Sequence, residues 1–308
     1  MIQLKTSYWE TLHVFDRPVE GKSVQLIDSS LEVPQGMDPV IRENWDKQLE
    51  SKRTDIPCSE IKPYHLDRSE NPLNALYLGE TPRMWPGPAV SLKEVRVREG
   101  IELHVGQTFF PFINGLKDPK VRALYEQQGI PLPRPSLAIC TYALTLDDKL
   151  TLTLRGPATN MYPGRLYGQG GNPLFTNTSV IEHQIEEMQD EILVTPKEYS
   201  PNDFHFTGLV VDRESLPDKP DLVGWVPIQV ESEKVRERIY QRGTPFKGRP
   251  NDAVGVVFVP AKEESLADYL VNVTHPLQFT PPGHAGLVLY GLANFGESWS
   301  KYILSKLE

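Results

Sequence analysis

Cysteine is nearly absent from this chain of 308 residues, because Cys58 and Cys140 are its only two thiols and lie far apart. So few cysteines exclude a disulfide framework and the zinc sites that depend on paired cysteines. Cys140 lies in the apolar run 137–144, which is typical of a buried strand, so we expect a packed thiol rather than a nucleophile. Sparse thiols also suit reducing surroundings, and the sequence therefore predicts a cytoplasmic protein.

Long apolar runs and clusters of basic residues are missing as well. No stretch approaches the ~20 apolar residues that a spanning helix needs, and residues 1–6 lack a secretory pattern, so we expect no membrane partner. The formal net charge of −9 comes without a cluster of Lys and Arg, which argues against nucleic acid as a partner. A small phosphorylated ligand remains compatible with this charge, since a metal ion or a few arginines can invert the local field.

Proline is abundant, at 28 residues, and it divides the chain into short elements. This punctuation predicts an α+β fold with many loops. Alternating apolar residues over 90–112, interrupted at 99–100, predict a β-hairpin. A proline-rich connector at 129–135 predicts a boundary between an N-terminal extension, 1–134, and a second domain, 135–308. Helices are predicted at 39–52 (with Asp38 as N-cap), 119–128, 179–193, 232–242, 263–270 and 283–304, and further strands at 137–144, 150–154, 206–211, 222–230 and 254–259.

The helix predicted at 179–193 carries the residues with the clearest chemistry. Its apolar face consists of Ile181, Ile185, Met188 and Ile192. Spacings of three and four residues also bring Glu187, Asp190 and Glu191 to one face. Like charges at these spacings repel each other, whereas a divalent cation would be chelated by them, and carboxylate oxygens suit Mg²⁺ or Mn²⁺. The plain alternative is an acidic stripe that is only the solvated face of the helix.

A strand, a glycine-rich loop (162–171) and the acidic helix follow one another along the chain. This order resembles the Nudix hydrolases, whose signature leads from a glycine-ended loop into a helix bearing Arg-Glu-aliphatic-x-Glu-Glu. Residues 186–191 read Glu-Glu-Met-Gln-Asp-Glu at the matching place, and the resemblance covers roughly 135–260. It implies a Nudix-like α/β/α sandwich with an N-terminal extension that contains the hairpin. It also implies Mg²⁺ or Mn²⁺ bound by Glu187, Asp190 and Glu191, with Glu187 and Glu191 as catalytic residues.

The chain departs from that signature at several positions. Glu186 stands in place of the arginine, Leu193 replaces the closing glycine, and the loop 172–178 has no acid. The UDP-sugar hydrolases of the same superfamily have a similarly degenerate signature, a Trp-containing helix like 41–49 and a C-terminal helix like 284–290. The resemblance therefore implies hydrolysis of the pyrophosphate bond in a nucleoside diphosphate derivative, with a UDP-sugar as the first candidate.

Four further residues are candidates for binding that substrate. Arg155 and Arg165 bracket the glycine-rich loop, and a guanidinium group matches a phosphate group well, although a surface ion pair is an equal alternative for each. Gly170 and Gly171 would let the backbone come close to the phosphate or the ion, because they lack a side chain. The loop with Lys247 and Arg249 is a second basic segment, for which simple solvation is the plainer interpretation.

Several alternatives remain open at this stage. His183, one turn before Glu187, could be an additional ligand or a proton carrier, but a histidine on the surface or just behind the site is the plainer interpretation. The sequence does not decide which acid accepts the proton of the attacking water. A non-catalytic nucleotide-binding module and a structural protein with an incidental acidic helix are the rival functions. The missing arginine and loop acid favour the binding module, whereas three mutually repelling carboxylates favour an enzyme. The resemblance also allows for a homodimer.

Overall fold

A computed structural model describes residues 3–52, 88–98, 100–155, 161–162, 164–173, 179–214, 218–242 and 253–307. Cys58 and the basic loop with Lys247 and Arg249 lie outside these ranges. The described part has an α+β fold, as the sequence predicts. Its strands are β1 (Trp9–Glu20), β2 (Val24–Asp28), β3 (Pro88–Val97), β4 (Ile101–Phe109), β5 (Ala138–Leu144), β6 (Lys149–Arg155), β7 (Leu166–Tyr167), β8 (His205–Asp212), β9 (Lys219–Pro227) and β10 (Ala253–Pro260).

The helices lie between groups of strands and after β10. They are α1 (Met37–Lys52), α2 (Phe110–Gly115), α3 (Pro119–Gln127), α4 (Val180–Ile192), α5 (Ser232–Arg242), α6 (Glu263–Asp268), α7 (Pro281–Phe295) and α8 (Glu297–Leu307). Short 3₁₀ turns cover Gly21–Ser23, Pro201–Asp203 and Pro276–Gln278, and a π turn, Tyr269–Val273, extends α6. Within the described ranges, none of the helices has the length and apolar character needed to cross a membrane.

The larger sheet organises the fold. Among the described residues it contains seven strands, in the order β1-β8-β9-β5-β6-β10 with β7 paired to β6. Strands β5 and β9 are parallel, and the other pairings are antiparallel. Apolar residues of α7 and α8 pack on one face, and those of α4 pack on the other together with the smaller sheet. Successive residues of β5, β8 and β9 are buried, so both faces of the sheet are covered, and the result is the α/β/α sandwich that the resemblance implies.

The N-terminal residues build the smaller sheet and also extend the larger one. The hairpin β3–β4 is confirmed, with Val97 opposite Ile101, and β2 joins β4 in parallel. Helices α1 to α3 form a small core of their own, in which Ile41 and Tyr125 are buried. Strand β1, which the sequence pattern does not predict, pairs with β8 in the larger sheet. The domain boundary between residues 134 and 135 stays a prediction, and the pairing of β1 with β8 crosses it.

Two predicted helix boundaries are wrong. Helix α1 begins at Met37, so Asp38 lies in its first turn rather than at its N-cap. The single helix predicted at 283–304 is two helices, because Gly296 has φ +94° and ends α7 with its N–H bonded to the carbonyl of Leu292. A glycine in this conformation is a common helix terminator, since residues with a side chain rarely adopt it.

A buried histidine at the start of α7 makes stability depend on pH. Trp9 donates its indole N–H to Nδ1 of His284 at 3.0 Å, and burial lowers the pKa of His284 to about 4. The unfolded chain binds this proton below about pH 6.5, whereas the folded chain binds it only near pH 4. The unfolded state therefore takes up more protons between these values, and the free energy of unfolding falls as the pH drops.

We expect the free energy of unfolding to fall by roughly 2 kcal/mol between pH 7 and pH 5 for each histidine shifted in this way. His183 has a similarly lowered pKa of about 4, and burial also lowers the pKa of His13, so both of these histidines contribute as well. Urea unfolding at both pH values should show that His284→Gln has a smaller pH dependence than the wild type. Equal slopes for the wild type and the variant would contradict the assignment to His284.

Candidate functional site

Helix α4 has well-defined ends. The Ser179 hydroxyl accepts the backbone N–H of Glu182 at 3.1 Å, which caps the N-terminus as a serine in this position commonly does. Leu193 has φ +58° and ends the helix in the left-handed conformation that glycine usually adopts. Leu193 therefore adopts the backbone conformation that is expected of the closing glycine it replaces. These two ends fix the register in which the acidic face meets the rest of the protein.

The end of the glycine-rich loop, 168–171, fills a gap in the larger sheet. Strands β5 and β6 pair only at Leu144 and Leu150 in the described residues, and the loop runs between them beyond that point. Gln169 and Thr141 exchange both backbone hydrogen bonds, at 2.7 and 2.9 Å, and Ile139 N–H donates to the Gly171 carbonyl at 2.9 Å. The loop is therefore an extended, hydrogen-bonded segment with a fixed position.

The Gln169 side chain completes this arrangement. Its Oε1 accepts the backbone N–H of Ala143 at 3.0 Å and the Thr151 hydroxyl at 2.9 Å, while its Nε2 donates to the Thr151 carbonyl at 3.2 Å. These bonds connect β5 to β6 where the two strands separate. A buried amide with its donors and acceptors satisfied holds its surroundings in one geometry. Gly170 and Gly171 follow Gln169 directly, so their backbone is also held in place.

Gly170 occupies a place that admits no side chain. Its φ is +144°, and a Cβ atom here would overlap the carbonyl oxygen of Ile139. Backbone atoms cannot move aside as the end of a flexible side chain can. The position therefore requires glycine for both its conformation and its space.

Three side chains of α4 meet the loop. Gln184 is buried and donates from Nε2 to the Thr141 hydroxyl and to the Gln169 carbonyl, the latter at 3.2 Å. Glu191 accepts the Gly170 N–H through Oε2 at 3.3 Å. Glu187 lies one turn earlier, with Oε1 3.2 Å from where a Cβ atom of Gly171 would be. Two carboxylates on successive turns of one helix therefore lie against two successive glycines.

His183 lies beneath these groups. It is 3% exposed, and its Nε2 lies 3.6 Å from Oε1 of Glu187. Burial lowers the pKa of His183 to about 4, while a hydrogen bond with the Gly171 backbone acts in the opposite direction. The imidazole is therefore neutral at pH 7, and it does not form an ion pair with Glu187. Of the two plainer interpretations, a histidine on the surface is wrong and a histidine just behind the site describes His183, because the side chain is buried beneath the loop.

The fit of this site to a divalent cation can be judged from its donors. Glu187 and Glu191 supply carboxylate oxygens, and His183 supplies a buried ring nitrogen. Asp190 is half-buried on the same helix. In the described part of the chain, no three His, Cys, Asp or Glu side chains are gathered closely enough to enclose an ion. The donors are of suitable types, and the ligand set Glu187, Asp190 and Glu191 stays a prediction.

The two candidate arginines have different surroundings. Arg165 forms a bidentate ion pair with Glu214, at 2.6 and 2.7 Å, and its guanidinium lies over the Tyr162 ring. The ion-pair alternative therefore describes Arg165 in this structure. Arg155 donates from Nε to the Met161 carbonyl at 2.9 Å and lies 5.3 Å from the centre of the Tyr167 ring. Their contact with a substrate remains a prediction.

A buried polar cluster near the loop escaped the sequence analysis. Lys219 Nζ donates to both carboxylate oxygens of Asp221, at 2.9 and 2.8 Å, and the Tyr167 hydroxyl donates to Asp221 at 3.3 Å and to the Ile139 carbonyl at 3.1 Å. Burial is the main cause that raises the pKa of Asp221, and Lys219 opposes it. The only sequence signal is a Lys and an Asp two residues apart in an apolar strand. This cluster holds β7, and with it the loop end 168–171 that follows, against β5 and β9.

Cys140 is buried in β5, as predicted, and burial raises the pKa of its thiol to about 12. A thiol held neutral in this way is unreactive at pH 7.

Comparison with known proteins finds similarity to solved structures. No protein-family model matches the sequence, and no curated protein matches it either. The chain is similar to DR0079 from Deinococcus radiodurans, at 14% identity and a TM-score of 0.34, over 59% of this chain and 88% of that one. It is also similar to a bifunctional NMN adenylyltransferase/ADP ribose pyrophosphatase from Francisella tularensis, whose structure contains AMP and a Mn ion. That likeness has 12% identity and a TM-score of 0.33, over 60% of this chain and 47% of that one.

Proposed function

We propose that this protein is a Nudix-type hydrolase that cleaves the pyrophosphate bond of a nucleoside diphosphate derivative with Mg²⁺ or Mn²⁺. The observation that carries the proposal is the contact between α4 and the loop: Glu191 accepts the Gly170 N–H, and Glu187 lies against Gly171. Paired carboxylates suit a hard cation together with the phosphate oxygens that it binds.

The roles that we propose for the acidic residues follow from their positions on α4. Glu187, Asp190 and Glu191 would hold the cation, and Glu187 or Glu191 would accept the proton of the attacking water. When bound, a divalent cation neutralises charge on the phosphate oxygens and lowers the pKa of a coordinated water molecule. Glu187 is suited to such a role because its side chain is 26% exposed, enough for solvent and substrate to reach it.

The substrate would approach along the loop. Gly170 and Gly171 would contact the phosphate group through their backbone, and Arg155 lies beside Tyr167, which directly precedes the loop end. Arg165 would have to exchange Glu214 for a phosphate group in order to take part. Within this substrate class we expect a UDP-sugar, on the strength of the sequence resemblance alone.

A second candidate function is a binding module that holds a nucleotide without cleaving it. Two observations favour it: Glu186 occupies the place of the signature arginine, and no three potential ligands are gathered in the described residues. Such a module would bind the same substrates but release no product.

A panel of substrates separates these functions. We expect turnover of at least one member among UDP-glucose, UDP-galactose, ADP-ribose, NAD and dinucleoside polyphosphates in the presence of Mg²⁺ or Mn²⁺. Product release would be followed by phosphate detection after phosphatase treatment. Binding of a member by calorimetry without turnover of any would support the binding module and contradict the enzyme.

A further inference from the structure

We infer that Gln184 is a positioning residue for Glu191, because the two side chains hold one peptide group of the glycine-rich loop from opposite sides. The inference rests on the proposed function, in which Glu191 serves the reaction, and it adds a residue outside the acidic set. Gln184 acts only through the loop and Glu191, without contact to the substrate.

The peptide group between Gln169 and Gly170 is the point at which α4 holds the loop. Its carbonyl oxygen accepts a hydrogen bond from Nε2 of Gln184 at 3.2 Å, and its N–H donates to Oε2 of Glu191 at 3.3 Å. The carbonyl and the N–H of a trans peptide point in opposite directions. One peptide group is therefore bound on both of its sides by side chains of the same helix.

The spacing along α4 brings these two side chains to the loop together. Gln184 and Glu191 are seven residues apart, so their directions around the helix axis differ by only about 20°. Gln184 is fully buried and also donates to the hydroxyl of Thr141 in β5. The amide of Gln184 is therefore anchored to the larger sheet as well as to the loop.

The glycine in this peptide explains why an additional contact is needed. Gly170 has φ +144°, and glycine has access to more backbone conformations than any other residue. A rotation of the Gln169–Gly170 peptide would turn the Gly170 N–H away from Glu191. The Gln169 carbonyl opposes that rotation through its bonds to Gln184 and to the Thr141 N–H, the latter at 2.9 Å.

The orientation of the Glu191 carboxylate depends on this peptide. A hydrogen bond from a backbone N–H to an ionised carboxylate is stronger than one between neutral groups, so it restricts the directions that the carboxylate can take. Without the amide of Gln184, the peptide would rotate more easily and Glu191 would sample more orientations. Because a displacement of about 1 Å in a reacting group can cost roughly 100-fold in rate, the loss should appear in kcat.

The first experiment measures the peptide itself. Gln184→Met removes the amide and keeps the length of the side chain, and Gln189→Met makes the same change at an exposed position of α4. Amide hydrogen exchange by NMR should show that Gly170 exchanges at least about tenfold faster in Gln184→Met and at the wild-type rate in Gln189→Met. Slow exchange of Gly170 in the wild-type protein is expected too, and this measurement needs no variant to fold.

The second experiment measures turnover of the substrate that the panel identifies. Gln184→Met should lower kcat by about tenfold or more and leave KM within about twofold, because Gln184 does not bind the substrate. In a Glu191→Gln background the same substitution should lower kcat by less than about threefold, since the residue through which it acts is already lost. A purely structural role of Gln184 would lower kcat by the same factor in both backgrounds.

The outcomes distinguish this inference from the proposed function. Rapid exchange of Gly170 in the wild-type protein, or an unchanged kcat in Gln184→Met, would show that Gln184 does not position Glu191, although the enzyme stands. If no member of the panel is turned over, the proposed function fails. The inference then fails as a statement about the reaction, whatever the exchange of Gly170 shows.

Discussion

Replacing Glu187 by glutamine should lower kcat/KM for the cleaved substrate by at least about 100-fold, because the amide removes one negative charge from the proposed cation site. The side chain keeps its size, and it is partly exposed, so the melting temperature should change little. The measurement is steady-state product release with the member of the panel that shows turnover, at saturating metal. Thermal melting of both proteins should accompany it.

Glu186→Gln is the matched control for this variant. It makes the same chemical change one residue earlier, on an exposed part of the same helix. We expect its kcat/KM to stay within about twofold of the wild-type value, since a solvated charge contributes little. Equal losses in both variants, or no loss at Glu187, would show that the reaction does not depend on the acids that face the loop.

Gly170→Ala should have the largest effect on stability. The new Cβ atom would overlap the Ile139 carbonyl oxygen, and φ at this position is +144°. Such a clash with backbone adds to the conformational strain, so we expect a loss of about 3 kcal/mol or more in the free energy of unfolding. Any protein that still folds should have lost turnover, because the loop would have to leave β5. Urea unfolding followed by circular dichroism measures the first effect.

Gly164→Ala is a control that separates the effect of the steric clash from the effect of the positive φ angle. Gly164 also has a positive φ, +75°, but a Cβ atom there would meet nothing within 4 Å. This variant should lose only about 1 kcal/mol. Equal stability of the two variants would contradict the close approach of the loop to β5.

The local part of the fold could be predicted from the sequence. Helix α4 follows from its apolar spacing and from Ser179, which caps it, and the hairpin β3–β4 follows from alternating residues on both sides of a turn. These features depend on neighbours within a few residues of one another. The place of β1 at the edge of the larger sheet could not be predicted, because its partner β8 lies almost two hundred residues later in the chain.

The acids of the candidate site were found from their spacing, whereas the groups that position them were not. Helical periodicity assigns His183 and Gln184 to no apolar face, so it gives no reason to expect both of them to be buried. Both are buried because the loop brings polar backbone groups to that side of α4, and Gln184 bonds to one of them. Only the tertiary structure shows this, since polar side chains are buried where hydrogen-bond partners are available to them.

The most direct test of the central claim is turnover by protein from which the metal has been removed with EDTA and dialysis. We expect no product release from the stripped protein, and recovery in proportion to added Mn²⁺ or Mg²⁺ that fails in Glu187→Gln. Undiminished turnover by the stripped protein, or full recovery in Glu187→Gln, would contradict a cation site formed by α4 and the glycine-rich loop.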